Sequence, residues 1–194
     1  MSEDIREKWN KKYLEAGEEQ GTAIEALQEN PHLLPPHGKA LELACGLGAN
    51  ALLLSAHGLE TCAWDLSSVA IERLKVIAQG RGLKLHGEAR DVLQNPPLPN
   101  SFDVIVVSYF LDRALVPHIQ KTLRPDGLLF YQTFTRTHVS DAGPQNPDFR
   151  LADNELLQLF SAMRILVYRE EGRVGDLQRG LRDEAYVEYR LDDI

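Results

Sequence analysis

Five short apolar runs, at residues 40–44, 59–64, 83–88, 102–108 and 128–134, alternate along this chain with helix-like stretches at 49–57, 67–79 and 113–123. Several of the runs are apolar nearly throughout, as expected of parallel strands covered on both faces. Strand–helix alternation of this kind predicts an α/β sheet joined by right-handed crossovers. The punctuation agrees. Ser67 is placed to cap the helix that follows it, and Gly80 and Gly82 lie where that helix should stop. Pro125-Asp126-Gly127 reads as a turn between helix and strand. After Phe134 the pattern changes to a long loop over 135–147 and a helix over 153–162 capped by Asp153. Two strands follow, at 163–170 and 185–191, joined by a Gly/Arg-rich loop; with no long helix between them they predict an antiparallel hairpin at one sheet edge. Ahead of the first strand, residues 3–15 form an amphipathic helix carrying Trp9 and Tyr13.

At 194 residues the chain is one domain's worth and long enough to bury a core. No apolar run is long enough to span a bilayer, and the acidic start has no apolar stretch behind it, so neither a membrane anchor nor a signal peptide is expected. Cys45 and Cys62 make neither a disulfide framework nor a metal-spaced pair; buried free thiols in a reducing cytoplasm, with no metal, are the expectation. The formal charge of −8 repels a phosphate backbone, so nucleic acid is not an expected partner. Arg164, Arg169 and Arg173 are interspersed with Glu170 and Glu171 and read as a solvated mixed-charge face.

The chemistry is concentrated in Leu41-Glu42-Leu43-Ala44-Cys45-Gly46-Leu47-Gly48-Ala49-Asn50, an apolar strand entering a Gly-x-Gly turn and then a helix. Glycine allows the sharp turn and the close approach of a ligand, and the helix start offers free N–H groups. Glu42 is a carboxylate in an otherwise apolar strand, which is costly unless a cation or donor meets it. At the end of the second strand, Asp65 either accepts hydrogen bonds from both hydroxyls of a ribose or caps the next helix. Asp91, after the third strand, either meets an adenine amino group or is a solvated loop residue. A pyrophosphate fingerprint would want a third glycine where Ala51 stands, which disfavours but does not exclude a nicotinamide reductase.

These residues resemble the class I S-adenosylmethionine (SAM) dependent methyltransferases, and within them the branch of tellurite-resistance and thiopurine-type small-molecule enzymes. Leu41–Gly48 is similar to that family's first motif, Trp64-Asp65-Leu66-Ser67 to its second-strand acidic motif, and Arg90-Asp91-Val92 to its adenine-side motif. Phe102–Ser108 is similar to its fourth-strand motif, and Leu123-Arg124-Pro125-Asp126-Gly127 to its turn before strand five. The resemblance implies a doubly wound, mostly parallel seven-stranded Rossmann-like sheet of order 3-2-1-4-5-7-6, the last strand antiparallel, with helices on both faces. It implies one domain over 1–194, with residues 1–38 as a helical lid segment and 39–194 as the core. It implies SAM as donor and S-adenosylhomocysteine as product. It places Glu42, Ala44, Cys45, Gly46, Gly48 and Asn50 at the methionine and ribose side, Asp65 on the ribose, Leu66, Asp91 and Val92 at the adenine, and Ser108 and Tyr109 near the sulfonium. Two departures stand out. Ala44 replaces the family's first glycine; taken at negative φ, it narrows the pocket slightly. Asp126 replaces a glycine of the late turn, where aspartate tolerates left-handed geometry.

Ligands of open α/β sheets sit beyond the carboxyl ends of the strands. That nominates Tyr109, Phe110 and Arg113 after strand four, and Gln132, Thr133 and Arg136 after strand five, as acceptor-side groups. Phe110 also fits the core, Arg113 a surface cation, and His138 either solvent or a base. Arg113 and Arg136 favour a small, anionic acceptor. The expected function is methyl transfer to a small molecule by a monomer or homodimer. The alternatives are a SAM-binding sensor without catalysis, or a methyltransferase acting on protein or RNA.

Overall fold

A computed structural model of the chain describes residues 2–17 and 21–192. Its centre is a seven-stranded sheet in the order β3-β2-β1-β4-β5-β7-β6. Strands β1 (Lys39–Leu43), β2 (Glu60–Asp65), β3 (Leu85–Ala89), β4 (Phe102–Ser108) and β5 (Leu123–Phe134) pair in parallel. β6 (Arg164–Glu170) and β7 (Glu184–Arg190) pair antiparallel to each other, and β7 antiparallel to β5. The expected fold and strand order are therefore present.

Six α-helices, α1 (Ser2–Glu15), α2 (Glu25–Glu29), α3 (Ala49–His57), α4 (Ser68–Gly80), α5 (Val116–Thr122) and α6 (Glu155–Leu159), accompany the sheet among the described residues, with three short 3-10 turns. Alternate strand residues face opposite layers. Leu41, Leu43, Ile105, Val107, Leu129 and Tyr131 meet the side of α5 and α6. Ala40, Val104, Val106 and Phe130 meet the side of α2 and α3. Within the segment ahead of β1, Ile24, Ala26, Leu27 and Leu34 are buried in that second layer, while α1 packs against α4.

Two local expectations need correction. Pro125-Asp126-Gly127 is not a turn ahead of β5 but an irregularity within it, since the register jumps from Phe102↔Leu123 to Val104↔Leu128. Asp126 sits there at φ +62°, its amide donating to the Leu191 carbonyl and its carboxylate accepting from Arg190 at 2.6 Å. Asp153 does not cap a helix over 153–162. Asn154 turns left-handed at φ +59°, which restricts α6 to five residues, and Asp153 accepts from the Thr137 hydroxyl instead. Ser67, by contrast, caps α4 as expected, accepting from the Ala70 amide.

Candidate functional site

Four strand ends, β1, β2, β4 and β5, converge where the sheet order reverses between β1 and β4, the position at which open α/β sheets bind ligands. The β1–α3 turn holds most of the expected residues. Gly46 (φ +53°) and Gly48 (φ +74°) are both in the left-handed region, but for different surroundings. A Cβ on Gly48 would strike Leu74 of α4, so this glycine serves helix packing rather than ligand approach. A Cβ on Gly46 would strike the Tyr13 hydroxyl. Ala44 was expected at negative φ and is not: it sits at +52°, a strained conformation for a residue with a Cβ. Cys45 is buried, and burial together with the nearby acids pushes its thiol up, so it is an inert wall.

Asp65 closes this loop. Its Oδ2 accepts from the Gly46 amide at 2.8 Å and its Oδ1 from the Ser67 amide at 2.8 Å, which ties the β1–α3 turn to the start of α4. Burial raises its pKa, opposed by those two amides and by Lys12. Beside it, Leu66, Ser68, Asp91, Gln94 and Arg6 line a cavity of about 280 Å³. Asp91 Oδ1 accepts from the amides of Leu93 and Gln94, which fixes the loop after β3. Val92 turns its side chain into the core instead. Arg90 stacks over Trp64 at 4.0 Å and donates to the carbonyls of Asn95 and Pro96, bracing the same loop.

Glu42 is 1% exposed. It accepts from Asn50 Nδ2 at 2.6 Å and from the Ala51 amide at 2.8 Å, and burial raises its pKa to about 8. Asn50 was expected to face a ligand, yet its groups are already committed. It donates to Glu42 and to Ser108 Oγ and accepts from the Ile24 amide. Gln132 is likewise interior, accepting from the Ala26 amide and donating to Glu184.

The other acceptor-side candidates divide. Tyr109, at φ +53°, is 51% exposed at the end of β4 and packs at 5.1 Å against Phe134. Phe110 packs on the core and Thr133 is buried. Arg113 pairs with Glu155 at 2.5 Å and donates to the carbonyls of Asp148 and Arg150. Arg136 donates to the Pro147 carbonyl, and His138 bonds the Arg136 carbonyl. Arg113 thus braces the loop after β5, and Arg136, which is exposed, joins it through one bond. Arg169, bridging Glu25, Glu29 and Glu171, belongs to the mixed-charge face that the sequence suggests.

The sequence gives little warning of Glu184, or of how α1 is fastened. Asn10 Oδ1 accepts from Ser67 Oγ at 2.7 Å, and Arg73 donates to the carbonyls of Tyr13, Ala16 and Gly17. Spacing offers one clue: Asn10 and Tyr13 lie on one face of α1 with Trp9, which stacks on Tyr13 at 5.9 Å.

A family model described as "Methyltransferase domain" matches residues 10–167. The chain belongs to that methyltransferase family. Among curated proteins, this methyltransferase is 31% identical to hemagglutinin 1 of Eikenella corrodens over 77% of its own length and 51% of that protein's. It is 28% identical to the probable S-adenosyl-L-methionine-dependent methyltransferase TehB of Haemophilus influenzae, covering 73% of this chain and 50% of that one. It therefore spans about half the length of these curated relatives. The crystal structure of Haemophilus influenzae TehB superposes with a TM-score of 0.69 at 22% identity, over 95% of this chain and 66% of that one. A structure titled for the conversion of a disulfide bond into a thioacetal group during echinomycin biosynthesis superposes at 0.73 with 20% identity, over 97% and 92%. These similarities make S-adenosylmethionine the cofactor of the family to which the chain belongs. Among the described residues, no helix is long and apolar enough to cross a membrane, and no group of three or more His, Cys, Asp or Glu side chains is arranged to hold a metal ion.

Proposed function

We propose that this methyltransferase binds S-adenosylmethionine at the carboxyl ends of β1, β2 and β4 and passes its methyl group to a small-molecule acceptor. The observation that carries the reading is Asp65. Its carboxylate is fixed by the Gly46 and Ser67 amides, and the next residue, Leu66, lines the cavity together with Asp91. In that place its remaining lone pairs are free for two ribose hydroxyls, with Leu66 against the adenine and Asp91 at the adenine edge. Glu42 supports the same reading: its hydrogen-bond partners among the described residues, Asn50 and the Ala51 amide, are neutral, which leaves a buried carboxylate to meet a cationic amino group.

The cofactor supplies an activated methyl group. The chain's part is to hold donor and acceptor in line, an effect that supplies roughly 7–11 kcal/mol where the geometry is good. Ser108, tethered by Asn50, and Tyr109 stand at the β4 end nearest the acceptor side. The net charge of −8 favours a small acceptor over nucleic acid.

Calorimetric titration of SAM into the wild type and Asp65→Ala tests this. Loss of two carboxylate hydrogen bonds costs about 3 kcal/mol, roughly a hundredfold in affinity. A thermal melt confirms that the variant is folded, and equal affinity in the two proteins would refute the site.

A further inference from the structure

A second polar group lies at the carboxyl edge of the sheet, away from the ribose corner. Because β7 runs antiparallel, its first residue, Glu184, stands opposite Phe134, the last residue of β5. The Glu184 carboxylate accepts from Gln132 Nε2 at 2.7 Å, and the Tyr109 phenol lies close enough to it to influence its charge. Gln132 is held from behind by the Ala26 amide at 3.0 Å, so its orientation is set and Glu184 is set with it. Tyr109 is backbone-strained and half exposed, presenting one ring face beside this carboxylate while the Phe134 ring supports it.

The charges around this group are accounted for element by element. Glu25, at the start of α2, adds negative charge and is paired on its outer side by Arg169 at 3.6 Å. Asp183 is turned to the amides of Val139 and Ser140. Arg150 lies against Phe134 with its guanidinium committed to the carbonyls of Thr135, Ala142 and Pro144. Arg113 and Arg136 are engaged in the loop after β5. The group thus presents a carboxylate, a phenol and aromatic rings. That set repels an anion and suits an ammonium ion, which pairs with the carboxylate and with the ring quadrupole.

We propose that the acceptor is an amine, held as its ammonium ion between Glu184 and the face of Tyr109, with Glu184 taking the proton that the nitrogen must lose before it attacks. This rests on the donor-site reading above. The step balances: the ammonium N–H bond breaks and its proton passes to the Glu184 carboxylate, freeing the nitrogen lone pair. That pair forms the new N–CH₃ bond as the S–CH₃ bond breaks, and the bonding electrons of the latter stay on sulfur, which becomes a neutral thioether. The product leaves as a methylammonium, and Glu184 returns its proton to water. Burial raises the pKa of Glu184, as a proton acceptor working near neutrality requires. Gln132 is a positioning residue that keeps the carboxylate aimed.

The test starts with SAM affinity by calorimetry. It then follows S-adenosylhomocysteine formation with matched alkyl and arylalkyl amines, alcohols, thiols and carboxylic acids, including di- and polyamines. Turnover of amines above the other classes is expected. On the best amine, Glu184→Gln lowers kcat/KM by about a hundredfold or more and removes the acid limb of the pH profile, while SAM affinity stays within about twofold. Tyr109→Phe raises KM more than it lowers kcat. Methylation confined to thiols, alcohols or acids overturns the proposal, as does a full amine panel without turnover in a protein that binds SAM. An unchanged pH profile in Glu184→Gln also overturns it. Failure to bind SAM at all instead removes the donor-site reading and this proposal with it.

Discussion

Asn50 donates to Glu42 across 2.6 Å at the foot of the β1–α3 turn, and both side chains are cut off from water. Glu42 also takes the Ala51 amide, yet burial still raises its pKa to about 8. Ligand-free protein near neutrality therefore holds Glu42 largely protonated, and a cation arriving beside it favours ionisation. SAM binding should release protons, and its affinity should rise between about pH 6 and about pH 7.5, by up to tenfold per pH unit. Calorimetry in two buffers of different ionisation enthalpy reads the release directly. Glu42→Gln should abolish it; persistence of the release in that variant would place the titrating group elsewhere.

Glu188 poses the same question on the α2 side of β7, where no cofactor is expected. Its Oε1 accepts from Asn30 at 2.6 Å, its Oε2 has no hydrogen-bond partner among the described residues, and its pKa is raised, chiefly by burial, from 4.5 to about 7. Between those values the folded chain holds a proton that the unfolded chain has released. This group's contribution is therefore fully favourable below about pH 4.5, is lost as pH rises toward 7, and is gone above it. Glu188→Gln should raise stability at about pH 8 by about 1–3 kcal/mol and change little at about pH 5. Denaturant melts at the two pH values measure the difference, and an equal gain at both would mean that the charge is not the cause.

The sheet was legible because its evidence is local. Runs such as 102–108 and 128–134 are apolar on both faces, which is what central parallel strands require, and Ser67 capped α4 where the pattern said it would. The misjudged residues share a different property. Asn50 was placed at the cofactor by the motif it sits in and Gln132 at the acceptor by its strand end, but a five-residue helix has unpaired N–H groups at its start. These two side chains satisfy Ile24 and Ala26 there. The place of Glu184 depends on how β7 pairs with a strand fifty residues earlier, which no local pattern carries. Arg113 suggested a surface cation or an anion contact from its place after β4, and the loop after β5 takes it through Glu155 and two carbonyls, a pairing set by residues over thirty positions away.

Ala44 offers a test of strain at the cofactor loop. At φ +52° an alanine costs about 1–2 kcal/mol, and glycine removes that cost while giving up about 0.5–1 kcal/mol in chain entropy. Ala44→Gly should therefore stabilise the protein by about 0.5–1 kcal/mol, a Tm gain of about 2–3 °C. A β-branched residue there should do the reverse, because it tolerates left-handed backbone least. Calorimetric melts of Ala44→Gly and Ala44→Val decide the matter, and a destabilised glycine variant would show that the alanine methyl contributes packing that outweighs its strain.

Arg73 joins α1 to α4 through three carbonyls at the end of α1, those of Tyr13, Ala16 and Gly17. Cationic donors at a helix C-terminus satisfy its last carbonyls and oppose its dipole. Here they also hold the Tyr13 hydroxyl over Gly46, where burial and the neighbouring Asp65 raise the phenol's pKa well above its ordinary value. The rest of α1 has few ties inward, since most of its side chains are exposed. Arg73→Ala should therefore free α1 without unfolding the sheet. Hydrogen exchange should quicken over residues 2–17 and remain slow in β1 and β4, and SAM affinity should fall by about three- to tenfold as Tyr13 and Arg6 lose their places beside the loop and the cavity. Tyr13→Phe separates the two effects, because it keeps the helix docked and removes only the hydroxyl. Unchanged SAM affinity in Arg73→Ala, with exchange quickened over α1, would reduce the helix to a cover that plays no part in holding the cofactor.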